Sequence, residues 1–455
     1  MRPVVTGEEF RHVDKAYTGD LGKAMDEAGH AVALAAARHG AGYGARVVVL
    51  AGPGNNGGDG YVAARFLRGR GAHVEVHALS DPATPLARAA ADAARAHGVP
   101  VVPLGDVVDS DIVIDALFGG GVRSGLPDRV TQWMSTPADV IAVDYPTGLD
   151  PDTGGVVGHA FRAVETVTFG SLKTGHVLGK GPDVCGVVTV ADIGITGGRP
   201  SMFMADRDDA PRPSRSRKTH KWSAGAVLVV GGSTGIVGAS VFAGRAALNF
   251  GAGSVVVASP RPDLLQQIAP ELPALALDET GERLSRFDVV IAGPGLADDD
   301  VAAARPILSK ADRVVLDAGG LTPATLESAR DGGADVVVTP HDAEFARIAG
   351  VGAGTFSIRS FAQKDGVTVL RKGNPTMVTN GGPPILVTAG GPELASIGTG
   401  DVLAGMLGAL WARGLDPVEA AVSAAFWHGT AGAHLARRES LTAVSLVDEI
   451  TRYAW

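Results

Sequence analysis

The sequence predicts an α/β protein built from two tandem doubly wound domains. Three observations carry that expectation. Short runs rich in Val and Ile alternate with Ala-rich amphipathic stretches through both halves, the pattern of strands buried on both faces between covering helices. The chain has 455 residues, too many for one comfortable core. It holds 63 glycines against only 5% aromatic residues, as tight βα turns require where backbone meets a ligand or a neighbouring strand.

In the first half the expected strands run from Arg46 to Ala51, His73 to Leu79, Asp111 to Ala116, Val140 to Asp144, Glu165 to Phe169 and Val187 to Ala191. Helices are expected from Ala24 to His39, with Gly40 as the stop, from Tyr61 to Arg68 and from Pro85 to His97. Between about Gly197 and Lys221 the apolar period disappears among prolines, serines and mixed charge, which marks the linker. Arg212, Arg215, Arg217, Lys218 and Lys221 read as its solvated surface rather than as an anion site. The division is drawn as residues 1–212 and 213–455. The second half repeats the style without repeating the sequence. Its strands are expected from Ala226 to Val230, Ser254 to Ala258, Asp288 to Ala292, Arg313 to Asp317, Asp335 to Thr339 and Val367 to Leu370. Its helices are expected from Ala239 to Phe250, Asp401 to Arg413 and Pro417 to Ala436.

Composition narrows the function. Hydrophobic residues at 45% and charged residues at 20% are ordinary for a globular protein. A formal charge of −9 would repel both nucleic acid and an anionic membrane surface, so small-molecule chemistry is expected, with no nucleic acid and no membrane partner. Cys185 stands alone, which excludes an intramolecular disulfide and a cysteine-rich metal site. The first residues lack the basic start and apolar core of a secretion signal, and no run of about 20 apolar residues appears. A cytoplasmic homo-oligomer is the expectation.

Two acidic glycine motifs of different design point to two nucleotide-handling sites. The first, Gly52-Pro53-Gly54-Asn55-Asn56-Gly57-Gly58-Asp59-Gly60, follows the first strand. Gly52, Gly54 and Gly57 satisfy GxGxxG, and Glu75 lies where a dinucleotide fold would place a ribose-binding acid, so an NAD-dependent dehydrogenase is the simple reading. Against it, Asn55, Asn56 and Asp59 put oxygen-bearing groups where a pyrophosphate prefers bare N–H donors; such a loop suits a hard cation or a polar ring. Asp115 ends another strand before the flexible run Gly119, Gly120, Gly121, Val122, Arg123, Ser124 and Gly125, and Asp144 ends the next before Thr147. Asn56, Asp115 and Thr147 thus offer oxygen ligands on one rim. Lys173 either faces this site or lies on the surface.

In the second half Gly398, Thr399, Gly400 and Asp401 open an apolar helix. The glycines let backbone N–H groups approach a phosphate at the positive helix end, and Asp401 is placed to take a proton from an attacking hydroxyl. Lys372, Gly373, Asn374, Pro375 and Thr376 follow a strand and can meet a nucleotide phosphate, while His341 ends another. Taken alone, His341 is more often structural than functional.

The segments NNGGDG, DALFGGGVRSG and VDYPTGLD resemble the epimerase domain of the bifunctional NAD(P)H-hydrate repair enzymes over about residues 1–195, and Thr147 stands where that family usually has serine. VLVVGGSTGIVGAS, AGPGL, TPHDAEF, KGNPT, GTGD and WHGTAGAHLA resemble their ADP- or ATP-dependent dehydratase domain, a ribokinase-like fold, over about residues 217–455. The resemblance implies an N-terminal Rossmann-like three-layer domain that interconverts the R and S epimers of hydrated NADH and NADPH at C6. Asn55 to Asp59, Gly119 to Gly125 and Asp144 would bind the hydrate, Asp144 with a catalytic part, and Asn56, Asp115 and Thr147 would hold K+. It implies a second domain that dehydrates the S form with ADP and Mg2+, giving AMP and phosphate. There Asp401 is the base, Ala239, Gly295, His341 and Asp401 meet the substrate, and Lys372 to Thr376 with Gly400 meet the adenine nucleotide. A small-alcohol kinase of the ribokinase-like group would share GTGD but would not need the NNGGDG domain. A binding-only first domain would not need both acidic strand ends.

Overall fold

Val and Ile recur in Arg46–Ala51, Ile112–Ala116 and Asp139–Val143, and each of these strands is almost wholly buried. Such strands are stable only when both sheet faces are covered, which is the architecture of the computed structural model. It describes residues 1–120, 125–156, 158–195, 200–214, 224–352 and 354–455. The linker residues Arg215, Arg217, Lys218 and Lys221, and Gly121 to Ser124 of the glycine run, lie outside the described residues. Among the described residues no helix is long and apolar enough to cross a membrane.

The chain divides into two compact units, Arg2–Ser201 and Met202–Trp455, the latter also including Met1. The expected boundary after residue 212 moves to Ser201, because the strand Met202–Met204 pairs in parallel with Ile385–Val387 of the second unit.

In the first unit a 7-stranded sheet runs in the order Val101–Pro103, His73–Ala78, Arg46–Ala51, Ile112–Ala116, Asp139–Val143, Glu165–Phe169 and Val187–Ala191, parallel throughout. Chain order reverses between Arg46–Ala51 and Ile112–Ala116, so the carboxyl ends of those two strands flank the crevice where ligands enter such sheets. The helices Leu21–Arg38, Asn55–Gly69 and Pro85–Ala96 belong to the same unit, their buried faces dominated by alanine, glycine and valine. The amino-terminal helix Gly7–Ala16 was not expected; Thr6 and Glu9 form its capping box, a signal already present in the sequence.

The glycine motif is helical rather than a loop from Asn55 onward. Its glycines are packing devices: a Cβ at Gly52 would run into the Leu117 carbonyl, and one at Gly57 into the Gly52 carbonyl. The turn from strand to helix is therefore closed so tightly that only hydrogen fits.

In the second unit the sheet order is Ala274–Leu275, Ser254–Ala258, Ala226–Val230, Val289–Ala292, Arg313–Leu316, Asp335–Val338, Thr368–Arg371, Thr376–Thr379, Ile385–Val387 and Met202–Met204. Strands up to Thr368–Arg371 are parallel; the next two pairings are antiparallel. The segment KGNPT is thus the turn of a hairpin. The helices Val237–Asn249, with Phe250 capping its end, Thr399–Ala412 and Pro417–Ala436 carry much of the core, including Phe250, Leu407, Trp411 and Trp427.

Candidate functional site

A cavity of about 390 Å³ opens in the first unit at the reversal point, lined by Asn55, Asn56, Asp59, Gly119, Gly120 and Asp144 among the expected residues. Phe10, Arg11 and Asp14 of the amino-terminal helix and Tyr145 also line it, and sequence reasoning did not name them. Gly57 and Gly58 are buried within the helix, where a Cβ on Gly58 would meet Met25 and the Ala87 backbone, so they shape the wall rather than face the cavity.

Asp144 is held in the left-handed region at φ 63, a backbone state that costs a non-glycine residue energy and is sustained by its surroundings. Those surroundings are explicit. Lys173 Nζ donates to Asp144 Oδ1 at 2.7 Å, and Thr168 Oγ1 donates to the same oxygen at 2.8 Å. Lys173 is fully buried rather than on the surface, and its ammonium also donates to Thr168 Oγ1 and the Phe169 carbonyl. The Phe10 ring covers it at 4.0 Å. Burial pulls this ammonium below the usual lysine range, against the opposing attraction of Asp144. His176 bonds the Asp144 carbonyl oxygen through Nε2 at 2.8 Å and accepts the Lys173 N–H on Nδ1; burial and the lysine charge push it down to about 4, so it stands neutral.

Asp59 occupies the first turns of Asn55–Gly69 and is only 9% exposed. Burial, reinforced by repulsion from Asp144, pushes its carboxyl well above the ordinary carboxylate range. Two carboxyl groups of one cavity thus sit in opposite environments, one ion-paired and one not.

Asp115 and Thr147 are brought together as expected. Thr147 donates its N–H to Asp115 Oδ2 at 2.6 Å and its hydroxyl to Oδ1 at 2.7 Å. Asp115 is completely buried, and burial raises its carboxyl to about 6 despite these donors. The Asn56 amide nitrogen is buried without a partner, and its Oδ1 lies against Gly119. The carboxylate, hydroxyl and amide oxygens of these three residues are hard donors of the kind a monovalent cation takes; the structure joins Asp115 to Thr147, with Asn56 on the adjoining cavity wall.

In the second unit Gly398 takes φ 87 and caps Thr399–Ala412, whose first turn carries Asp401. His428 Nε2 bonds the Thr399 carbonyl at 2.9 Å, tying Pro417–Ala436 to this helix start; burial lowers it to about 4, so it donates as a neutral ring. Asp401 is raised to about 7, by burial first and then by repulsion from Asp317 and Glu344, with Lys372 opposing. Lys372 Nζ bonds Asp317 Oδ1 at 2.8 Å and lies 3.3 Å from Glu344 Oε2. Burial would lower this ammonium, but the two carboxylates outweigh it and hold it above its usual range. Gly400 borders the same ammonium, 3.6 Å from where its Cβ would stand. Asp317 and Glu344 therefore belong to the site although the sequence reading gave them no role. Thr339 Oγ1 fixes the same Asp317 oxygen at 2.7 Å.

His341 caps Asp342–Ala349, its Nδ1 accepting the Glu344 N–H, with the ring more than half exposed. Its backbone N–H in turn holds Glu344 Oε2 at 2.8 Å, which aims that carboxylate at Lys372. Gly295 and Ala239 meet: a Cβ on Gly295 would strike the Ile236 carbonyl and come within 3.1 Å of the Ala239 methyl. Of the KGNPT turn, Thr376 Oγ1 donates to the Gly373 carbonyl at 3.1 Å.

Known proteins match both units. A family model described as YjeF-related protein N-terminus matches residues 22–175, and one described as NAD(P)H-hydrate dehydratase matches residues 227–452. The bifunctional NAD(P)H-hydrate repair enzyme of Archaeoglobus fulgidus is 37% identical over 86% of this chain and 84% of its own. That of Escherichia coli is 32% identical over 86% of this chain and 81% of its own. A crystal structure of the ADP/ATP-dependent NAD(P)H-hydrate dehydratase from Bacillus subtilis, co-crystallized with ATP/Mg2+, aligns with 54% of this chain and 94% of that one at 27% identity and a TM-score of 0.47.

Proposed function

The chain belongs to the bifunctional NAD(P)H-hydrate repair enzymes, and from that premise we propose that its first unit interconverts the R and S epimers of hydrated NAD(P)H at C6 while its second dehydrates the S form with ADP. The carrying observation is that each unit sets a raised carboxyl, buried at Asp59 and half-buried at Asp401, in the first turns of a glycine-opened helix, beside a strand-end aspartate ion-paired to a lysine: Asp59 beside Asp144 and Lys173, and Asp401 beside Asp317 and Lys372. Paired carboxyl groups in unlike environments are what proton transfer in both directions near neutral pH requires.

In the second unit hydroxide is a poor leaving group from C6. Asp401, at about 7, takes the proton of that hydroxyl as its oxygen attacks the nucleotide phosphate. That attack releases AMP; phosphate then leaves from C6 as a proton leaves C5 to solvent, and the C5–C6 double bond of NAD(P)H returns. The N–H groups that open Thr399–Ala412, at Gly400 in particular, and the KGNPT turn would receive the phosphates, with Mg2+ supplying charge neutralisation there. Ala239 and Gly295 would form the wall against the substrate, and His341 would reach it from its exposed position.

In the first unit Asn55 to Asp59, Gly119 to Gly125 and Asp144 would bind the hydrate, and Asn56, Asp115 and Thr147 would hold K+, whose charge offsets the buried Asp115 carboxylate. The test is direct. The full chain, given hydrated NADH as a mixture of epimers with ADP, Mg2+ and K+, is expected to return all of it as NADH, followed by absorbance. Recovery of only the S fraction at the uncatalysed rate of epimerisation would sink the first-unit assignment, and no recovery would sink the second.

A further inference from the structure

Asp59 stands out in the first unit because, among the described residues, no ion pair or hydrogen bond answers its charge. It is nine-tenths buried and lines the cavity, and among the described residues its carboxyl meets no hydrogen-bond donor. Asp144 lines the same cavity in the opposite condition, with Lys173 and Thr168 both donating to Oδ1. Its Oδ2 makes no such bond among the described residues. Of the other ionisable groups on the cavity wall, Arg11 and Asp14 are exposed on the amino-terminal helix and free to stay hydrated, while the Tyr145 phenol is buried and raised by desolvation and by Asp144.

Resting on the epimerase reading, we propose that Asp59 and Asp144 are the acid and base of epimerisation, Asp59 giving a proton to the C6 hydroxyl and Asp144 taking one from the water that returns. The C6–O bond breaks with the N1 lone pair moving into a C6–N1 double bond, and the protonated hydroxyl leaves as water. The resulting iminium carbon is planar and has no configuration. Water then adds to the opposite face while Asp144 Oδ2 removes its proton and N1 recovers its lone pair. The sum is inversion at C6, replacement of its oxygen by a solvent oxygen, and one proton moved from Asp59 to Asp144; passage in the other direction restores both groups. Burial, with the repulsion of Asp144, raises the Asp59 carboxyl as an acid in this role needs. Lys173 is a positioning residue: its three contacts leave it no donor for substrate, and it fixes Asp144 Oδ1 so that Oδ2 is the oxygen left to work.

The experiment gives the full chain pure R hydrate and K+ in 18O-water without adenine nucleotide, so that dehydration is idle, and follows the epimers and their mass by chromatography. Uncatalysed rates are subtracted. The wild type is expected to form S hydrate carrying one solvent oxygen per inversion. Asp59→Asn and Asp144→Asn are each expected to lose kcat by about 10²- to 10⁴-fold with KM changed little. Asp59→Glu, which keeps the acid, is expected to retain more kcat than Asp59→Asn, and NADH recovery from S hydrate and ADP reports that the variants are folded. Inversion without label overturns the proposal. So does an Asp59→Asn variant at wild-type kcat with only KM raised, or equal losses in Asp59→Asn and Asp59→Glu. A wild type that does not interconvert the epimers above background would instead overturn the epimerase reading itself.

Discussion

Lys372 is the lever on the proposed dehydratase base, Asp401. Asp401 is held at about 7 by burial and by repulsion from Asp317 and Glu344, and Lys372 is the cation that opposes them. A base at that value is half ionised near pH 7, so wild-type kcat/KM for S hydrate should fall about tenfold per pH unit below about 7 and level off above it. Lys372→Met deletes the opposing charge. An opposite charge close to such a group moves it by about 1 to 3 units, and taking the lower figure puts Asp401 near 8. Its ionised fraction at pH 7 then drops from about one half to about one tenth, a loss of about fivefold that high pH should restore. Asp317→Asn is the control of opposite sign: it removes a repelling charge, so the acid limb should move to lower pH. The assay is NADH regeneration from S hydrate and saturating ADP between about pH 5.5 and 9.5, well below the melting temperature, because Lys372→Met strands the buried Asp317 at a cost of about 3 to 5 kcal/mol. An acid limb that stays in place while the nucleotide KM rises would refute this reasoning and leave Lys372 as a phosphate ligand only.

Three further outcomes separate the parts. Asp401→Asn keeps the shape of the helix start but cannot take a proton, so from pure R hydrate it should still yield an R and S mixture while NADH recovery with ADP falls by about 10²- to 10⁴-fold; undiminished recovery would remove Asp401 as the base. Replacing NaCl by KCl at constant ionic strength should raise the melting temperature of the wild type, by about 1.4 kcal/mol of stability at ten times the dissociation constant, and leave Asp115→Asn unmoved; calorimetry reads both, and equal responses would dismiss the cation site. Lys173→Met should depress epimerisation more than hydrate binding, because it frees Asp144 Oδ1 to rotate while Asp59 and the cavity wall persist. An unchanged kcat with a raised KM would make Lys173 merely a cavity support.

Most of the central strands were legible because their Val and Ile runs need no context to be apolar: Arg46–Ala51, Glu165–Phe169, Ser254–Ala258 and Ala226–Val230 stand where the pattern put them. Short peripheral strands such as Val101–Pro103 are half-exposed and carry no such run. Thr376–Thr379 and Ile385–Val387 were missed because their pairing is antiparallel, set by a hairpin turn rather than by a helix crossing the sheet. The glycines of NNGGDG argue for a loop on propensity alone; the helix from Asn55 wins because those positions lie against Met25, Ala116 and the preceding turn, where no side chain fits. At the sites, acids at strand ends could be named from sequence, but their partners could not. Lysine is ordinarily a surface residue, and Lys173 is buried only because Asp144, Thr168 and the Phe10 ring surround it. Asp317 was read as the end of a strand; what sets it beside Asp401 is its bond to Lys372, brought across from the hairpin.

The two units share a chemical plan without a shared sequence, and the difference between them is instructive. In each, a strand-end aspartate is ion-paired to a lysine from a later strand or turn, and a second carboxyl in a glycine-opened helix is left to bear burial and the aspartate's repulsion. The helix dipole should stabilise that second carboxylate, but in both units desolvation outweighs it. The balance then divides. Asp401 has Lys372 pulling it back and settles at about 7, where it can be ionised and act as a base. Asp59 is burdened by the same two causes, and among the described residues no cation opposes them; its carboxyl is raised well above the ordinary carboxylate range, in the direction an acid needs. A dehydratase driven by a nucleotide needs a base once per turnover, whereas an epimerase must both release and recapture water. The lysine's reach to the helix carboxyl is therefore the feature that would decide which chemistry each site performs. Introducing a lysine within bonding distance of Asp59 should convert that acid toward a base and slow R to S exchange.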